Sequence, residues 1–503
     1  MRRLASLLSI FAALSTGCDQ QNSALVAPGE NPVAATTVIP AQAAAEQMIG
    51  VEATLDRATL TAAKETTIVA RIRLDASAIK LAHRPSVDLG LVIDTSGSMV
   101  GKPIEEARAA ALALLAGLRD GDRLSVVTFD SKAKTLVAPF VVDRSKLGPV
   151  KAALESMTAQ GTTDLAAGLA LAIGQSMSGG AADTVRRVVV LGDGVPNDPS
   201  PIPQLVAQYK GYGIAISTLG FGLEYDEVML AGLAQGTGGR FHRIDSGESI
   251  AAAFSDEVMR IERAVASTVM VRVQPGPGVT IRRVFGHPSA PDASRAHSVQ
   301  LGDLAEGQRQ DIFVEMTVSA HRSGATVELL DAIVSYDDRT AGAGRLERTA
   351  FVAVAATDDT APAVNNEVAR AVAVARVAAA LLDAIAMARI GDFAGADTLL
   401  RDTEAHARKL AQSLDEAALI GQAAELAKLR KTLADDRKRW EKADREAQRE
   451  AKRQAKLEQA GPHIGPPSSR PVAGQVAREP MPMEDLATVK RAHSSAVDAL
   501  QAH

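Results

Sequence analysis

Val87-Asp88-Leu89-Gly90-Leu91-Val92-Ile93-Asp94-Thr95-Ser96-Gly97-Ser98 is the stretch on which the fold turns. Its first half is almost continuously apolar, the pattern of a strand buried on both faces in a parallel sheet covered by helices. Its second half is a short polar turn opened by Gly97. Similar apolar runs recur at residues 188–191 and 214–221. Between and around them, helical patterns cover 103–118, 145–157, 165–177, 202–210, 226–234 and 249–262. The first begins with Pro103 followed by Glu105 and Glu106, which suit a first helical turn and its dipole. Strand alternating with helix predicts a doubly wound (Rossmann-like) α/β domain over residues 86–265.

Outward from this domain the pattern becomes strand-rich. Residues 49–85 contain alternating stretches at 51–55 and 67–74, too few to form a stable sheet alone. Residues 266–357 contain strands at 269–273, 279–285, 312–318, 327–336 and 348–354, separated by Gly, Pro, Asp and Ser. That punctuation suggests an antiparallel sandwich, which the early strands complete, with the α/β domain inserted between its two parts. Residues 366–460 read as a helical region with helices at 368–388, 393–414 and 416–459. The turn Ile390-Gly391-Asp392-Phe393 resembles one helical-hairpin repeat, short of the three that a solenoid needs. Residues 461–503, rich in Pro and Gly at their start, read as a disordered tail. The predicted fold class is therefore multi-domain α/β, a doubly wound domain inserted in a β-sandwich and followed by a helical C-terminal region.

Three polar segments sit where strands or loops end in the α/β domain: Asp94-Thr95-Ser96-Gly97-Ser98, Gly161-Thr162-Thr163-Asp164, and Gly192-Asp193-Gly194. In the strand order 3-2-1-4-5-6, the ends of strands one and four flank the topological switch point at which open α/β sheets bind ligands. Asp94 ends strand one and Asp193 ends strand four, so their carboxylates converge. Two hydroxyls spaced by one residue point at one ion, and a Thr from the neighbouring loop completes the oxygens. Mg²⁺ takes such oxygens in a tight octahedron and keeps several waters.

Together these segments resemble the metal-ion-dependent adhesion site of the von Willebrand factor type A (VWA) family, whose loops read Asp-x-Ser-x-Ser, then Thr, then Asp. The resemblance covers about residues 86–263. It implies that Ser96, Ser98 and Thr163 supply hydroxyl oxygens and that Asp94 and Asp193 bind directly or through water. Thr163 rather than Thr162 fits the family's Gly-Gly-Thr register, although Thr162 replaces the second Gly. It further implies a Mg²⁺ cofactor, or another divalent cation such as Mn²⁺ or Ca²⁺, with one open position filled by an Asp or Glu of a partner protein. The order of flanking strands, VWA domain and strand-rich region is similar to bacterial VWA lipoproteins and to inter-alpha-trypsin-inhibitor heavy-chain-like proteins.

The N-terminus carries its own pattern. Arg2 and Arg3 precede an apolar run over 4–14, too short to span a bilayer but suited to an export signal over residues 1–17. Cys18 is the only cysteine of 503 residues and follows Gly17, as in a bacterial lipobox, although Ser15 stands where that motif usually has Leu. The resemblance implies acylation at Cys18 and attachment to a membrane of the bacterial cell envelope. Asp19 resembles an inner-membrane retention signal. Residues 18–48, rich in Ala, Pro and Gln, read as a tether with a reach of roughly 30 Å. With one cysteine no intramolecular disulfide is available.

Composition excludes other classes. A net charge of −5 over 503 residues gives no concentrated basic surface for nucleic acid. One Trp and four Tyr leave little material for stacking platforms. No zinc-protease, nucleophile-elbow or phosphate-loop motif is present, and an enzyme is not expected. The expected function is a membrane-anchored, metal-dependent protein-binding module. The alternative is a non-catalytic envelope scaffold in which the metal is only structural.

Overall fold

In the computed structural model, residues 48–501 are described apart from 79–85, 180–183, 193–194, 222–224, 245–246, 288, 341–343, 415–416 and 461–485. Three strands come first, β1 (Ile49–Leu55), β2 (Thr59–Thr61) and β3 (Thr66–Ala76). The α/β domain follows as β4 (Val87–Asp94), α1 (Lys102–Gly117), β5 (Arg123–Phe129), β6 (Ala133–Val141), α2 (Gly148–Glu155), α3 (Leu165–Met177), β7 (Val185–Gly192), α4 (Ile202–Gly211), β8 (Ala215–Phe221), α5 (Glu227–Thr237), β9 (Phe241–Ile244) and α6 (Gly247–Glu262). Its sheet order is β6-β5-β4-β7-β8-β9, parallel except for β6. Every residue of β4 is buried, because α1, α2 and α6 cover one face of the sheet and α3, α4 and α5 the other. Asp88, the one charge inside that apolar run, is matched by Arg123 of β5 at 2.6 Å.

Six further strands follow, antiparallel to one another, with β15 also pairing parallel to β2: β10 (Ala264–Pro275), β11 (Val279–Val284), β12 (His297–Ala305), β13 (Arg309–Val318), β14 (Thr326–Asp338) and β15 (Gly344–Thr357). They form two sheets with the early strands, β1-β3-β13-β11 and β12-β10-β14-β15-β2. β13 pairs with β3 along its whole length, Ile312 opposite Ile72, and the facing sides of both sheets make one apolar core. The fold is thus a Rossmann-like α/β domain inserted into a two-sheet layer. The buried pair Arg187–Asp303, at 2.6 Å, joins β7 to β12 across the boundary.

The helical region comprises α7 (Asn366–Arg389), α8 (Phe393–Leu414), α9 (Ala417–Ala460) and α10 (Leu486–Gln501). An 18-residue stretch of α7 has a mean hydropathy of 1.9, long and apolar enough by composition to cross a membrane, yet most of that stretch is buried within the protein. Its apolar residues pack on α8, α9, α10 and on Val69, Phe285 and Phe313 of the sandwich. Arg71–Glu367 and Arg376–Glu315, both at 2.6 Å, fix it there.

α10 corrects the reading of a disordered tail for residues 486–501, while 461–485 lie outside the described residues. Val489, Ala492, Ala496 and Leu500 recur at spacings of three and four, Val497 lies beside them, and all five are buried, which makes one apolar helical stripe. The Pro/Gly-rich stretch before it had masked this short pattern. Alternation did not mark β12 either, since Gly302 and Asp303 interrupt it.

Candidate metal centre

The C-terminal ends of β4 and β7 lie side by side, with Ile93 paired to Leu191. A Cβ placed on Gly192 would sit 3.6 Å from Asp94 Oδ2, so the Asp94 carboxylate lies against the end of β7. Asp193 follows directly on Gly192; it and Cys18, with Asp19, lie outside the described residues.

Asp94 is fully buried and its Oδ1 accepts the Ser96 amide at 2.7 Å. That bond folds the chain back into a single 3-10 turn over Gly97–Met99, anchored by the buried Met99 side chain. The turn brings Ser96 Oγ and Ser98 Oγ to 3.0 Å of each other. Ser96 is buried, whereas Ser98 is exposed, so the pair opens to solvent on one side.

The second loop is tied to the first through backbone. Gly97 N donates to Gly161 O at 3.0 Å and Gln160 N to Thr95 O at 2.7 Å. Gly161 has φ +78°, and a Cβ there would come within 2.6 Å of Ser131 Oγ. Thr162 is exposed and spends its hydroxyl on Ser131 Oγ at 3.1 Å. Thr163 is 8% exposed, and its carbonyl accepts the Asn197 amide at 3.0 Å, which binds the third loop to the second. The structure therefore brings Asp94, Ser96, Ser98 and Thr163 into one interlinked set of loops, with Asp193 next in sequence to their neighbour.

Ser131 and Asp130 escaped sequence reasoning. Asp130 ends the turn after β5, its carbonyl accepts the Asp164 amide at 2.8 Å, and its carboxylate meets Lys134 Nζ at 2.9 Å. Burial opposes its ionisation, but Lys134 and the Lys132 amide outweigh that and hold its pKa below the ordinary carboxylate value. No motif marked these two, because their partners, Thr162 and Asp164, lie some thirty residues away along the chain.

The donor set fits a small hard cation. An octahedron with metal–oxygen bonds of about 2.1 Å has an oxygen–oxygen edge of about 3.0 Å, the separation found between the two serine hydroxyls. Among the described residues no group of three or more His, Cys, Asp or Glu side chains forms an alternative metal site. Hydroxyls and one or two carboxylates suit Mg²⁺ or Mn²⁺ over a thiolate- or imidazole-seeking ion.

Fold and loops together define a domain of the von Willebrand factor type A class. The von Willebrand factor type A domain family matches residues 88–256, so the chain carries a VWA domain. It is 27% identical over 254 residues to YfbK of Escherichia coli K12, covering 48% of this chain and 44% of that one. It is likewise 27% identical over 283 residues to sll0103 of Synechocystis, covering 54% of this chain and 66% of that one. The chain thus spans between about half and two thirds of the length of these relatives. The solved von Willebrand factor type A structure from Catenulispora acidiphila aligns with a TM-score of 0.59 at 18% identity, over 77% of this chain and 90% of that one. That likeness extends the shared fold well beyond the VWA domain.

Proposed function

We propose that this chain is a membrane-anchored protein-binding module of the bacterial cell envelope whose VWA domain engages a partner carboxylate through a divalent cation. Asp94, Ser96, Ser98 and Thr163, with Asp193, would hold the ion, and Cys18 would carry the lipid anchor. The ion supplies Lewis acidity toward one carboxylate oxygen of the partner. The chain's own residues do the rest: Asp94 keeps the Ser96 amide and the 3-10 turn in place, and the turn sets the buried Ser96 hydroxyl beside the exposed Ser98 hydroxyl. Binding changes no covalent bond, so no enzyme activity is proposed.

The observation that carries this reading is the 3.0 Å hydroxyl pair held by a buried carboxylate at the switch point of the sheet. Val100 and Val195, on the two loops that bear the carboxylates, are 64% and 44% exposed, so a partner would meet apolar surface beside the ion. A scaffold in which the metal only stabilises the loops has less in its favour. The bonds Gly97–Gly161, Gln160–Thr95 and Asn197–Thr163 already join the three loops without an ion.

The test is capture of partners from detergent-solubilised envelope membranes with Mg²⁺, with chelator, and with Mg²⁺ restored. Binding should fall and return in step with the ion, and the Cys18→Ser protein should leave the membrane fraction. Capture indifferent to chelator would contradict the metal reading, and firm membrane retention of Cys18→Ser would contradict the anchor.

A further inference from the structure

Beside the metal loops, a groove of about 600 Å³ lies between α3 and α4, with Ser131, Asp164, Asn197 and Asp198 lining its end at the helix N-termini. It begins one residue from Thr163, whose carbonyl is bonded to the Asn197 amide at the groove's mouth. One wall is built from small residues of α3, including Ala166 and Ala170; the other presents the amides of Gln204 and Gln208 from α4. Small side chains let a foreign backbone approach closely, and exposed amides give it hydrogen-bond partners without charge selection.

The electrostatics of the mouth select further. Two helix N-termini point there, each equivalent to roughly +0.5 charge. Against them stand two carboxylates. Asp164 caps α3 by accepting the Ala167 amide at 3.0 Å. Asp198 accepts the Ser200 amide at 2.9 Å, and bonds from Ser200 hold its pKa below the ordinary value. The balance is about one net negative charge, and no cationic side chain lines the groove among the described residues.

We propose that this groove is the docking track for the partner segment whose acidic residue reaches the ion. The occupant is an extended peptide segment carrying one Asp or Glu for the metal and, further along, a Lys or Arg that meets Asp164 and Asp198. A single acid held by the ion gives affinity to any exposed carboxylate. The groove adds what the ion lacks: direction along the chain and rejection of uniformly acidic segments, which the mouth repels. This inference rests on the metal-dependent reading of the same site.

The experiment selects a displayed library of random linear peptides on the full chain in Mg²⁺, then titrates recovered peptides against wild type and three variants. Recovered peptides should pair Asp or Glu with Lys or Arg at a recurring spacing. Ala170→Trp, at an exposed position of α3, should weaken them about tenfold or more by filling the groove. Asp198→Lys should weaken them about threefold, as expected for an exposed charge pair. Peptides remade with Glu in place of the Lys or Arg should then prefer Asp198→Lys over wild type. Asp94→Ala and chelator report on the ion separately. Peptides blocked by Ala170→Trp but indifferent to chelator would sink the metal reading and keep the groove. Peptides that need the ion yet bind wild type and Ala170→Trp alike would overturn the groove, as would a selection that recovers no peptide.

Discussion

At Gly161 the backbone takes φ +78°, a conformation that a side chain rarely adopts, in a spot where a Cβ would strike Ser131 Oγ. The same residue accepts the Gly97 amide, so its geometry is passed directly to the serine turn. Gly161→Ala should cost about 1–3 kcal/mol of local strain and weaken divalent-ion binding while leaving the α/β core folded. Calorimetric titration beside circular dichroism checks this, and undiminished ion affinity in the variant would contradict it. The residues expected to hold the ion were legible because hydroxyl and carboxylate spacing is a chemical pattern written along the chain. The supporting Ser131 and Asp130 were not, since a backbone bond from Asp164 to Asp130 leaves no trace in residue type.

Among the elements, α10 decides how the helical region meets the VWA domain. Glu227 at the start of α5 is buried and pairs with Arg389 of α7 at 2.7 Å; Arg389 also reaches Asp226 at 2.8 Å. Lys490 of α10 donates to the Tyr225 carbonyl at 2.9 Å and lies over the Tyr225 ring. The two cations are not equivalent. Removing Arg389 leaves Glu227 buried without its near partner, so Arg389→Ala should destabilise by about 3–5 kcal/mol. Lys490 sits 3.8 Å from Glu227, and burial pushes its pKa down from 10.5 to about 8. A depressed lysine binds fewer protons folded than unfolded between those values, so its penalty is full below pH 8 and is relieved as pH rises toward 10.5. Lys490→Met should therefore be near neutral at pH 7 and should lose the wild type's gain in urea midpoint between pH 8 and 10.5. A large destabilisation by Lys490→Met at pH 7 would contradict this account. Elements such as α3 and α8 were visible from their periodicity. α10 was not, because its five-residue apolar stripe follows a Pro/Gly-rich stretch and is completed by distant elements, α7, α9, α5 and β9.

Across the whole molecule, β3 is the piece that joins the two halves of the sequence. Ile68, Ile72 and Leu74 are fully buried in the sandwich core, and burying three such side chains contributes roughly 5–9 kcal/mol. That is the size of a whole domain's net stability. Deleting residues 49–76 should therefore prevent cooperative melting of the sandwich, whereas residues 86–265 expressed alone should give a folded, soluble α/β domain. A cooperatively folded 268–357 fragment would contradict the shared sandwich. This insertion was legible because two early strands cannot stand alone and later strands of matching pattern were available. The docking of α7 and α10 onto both domains was not, since long-range ion pairs such as Arg389–Glu227 have no spacing to read. The central claim is that the loops around Asp94 hold a divalent cation, and titration of Mg²⁺ and Mn²⁺ into wild type and Asp94→Ala tests it most directly, with circular dichroism on both. One saturable site in the wild type, weakened at least about tenfold in a fully folded Asp94→Ala, is the expected result; equal ion binding by the two folded proteins, or none by either, would contradict it.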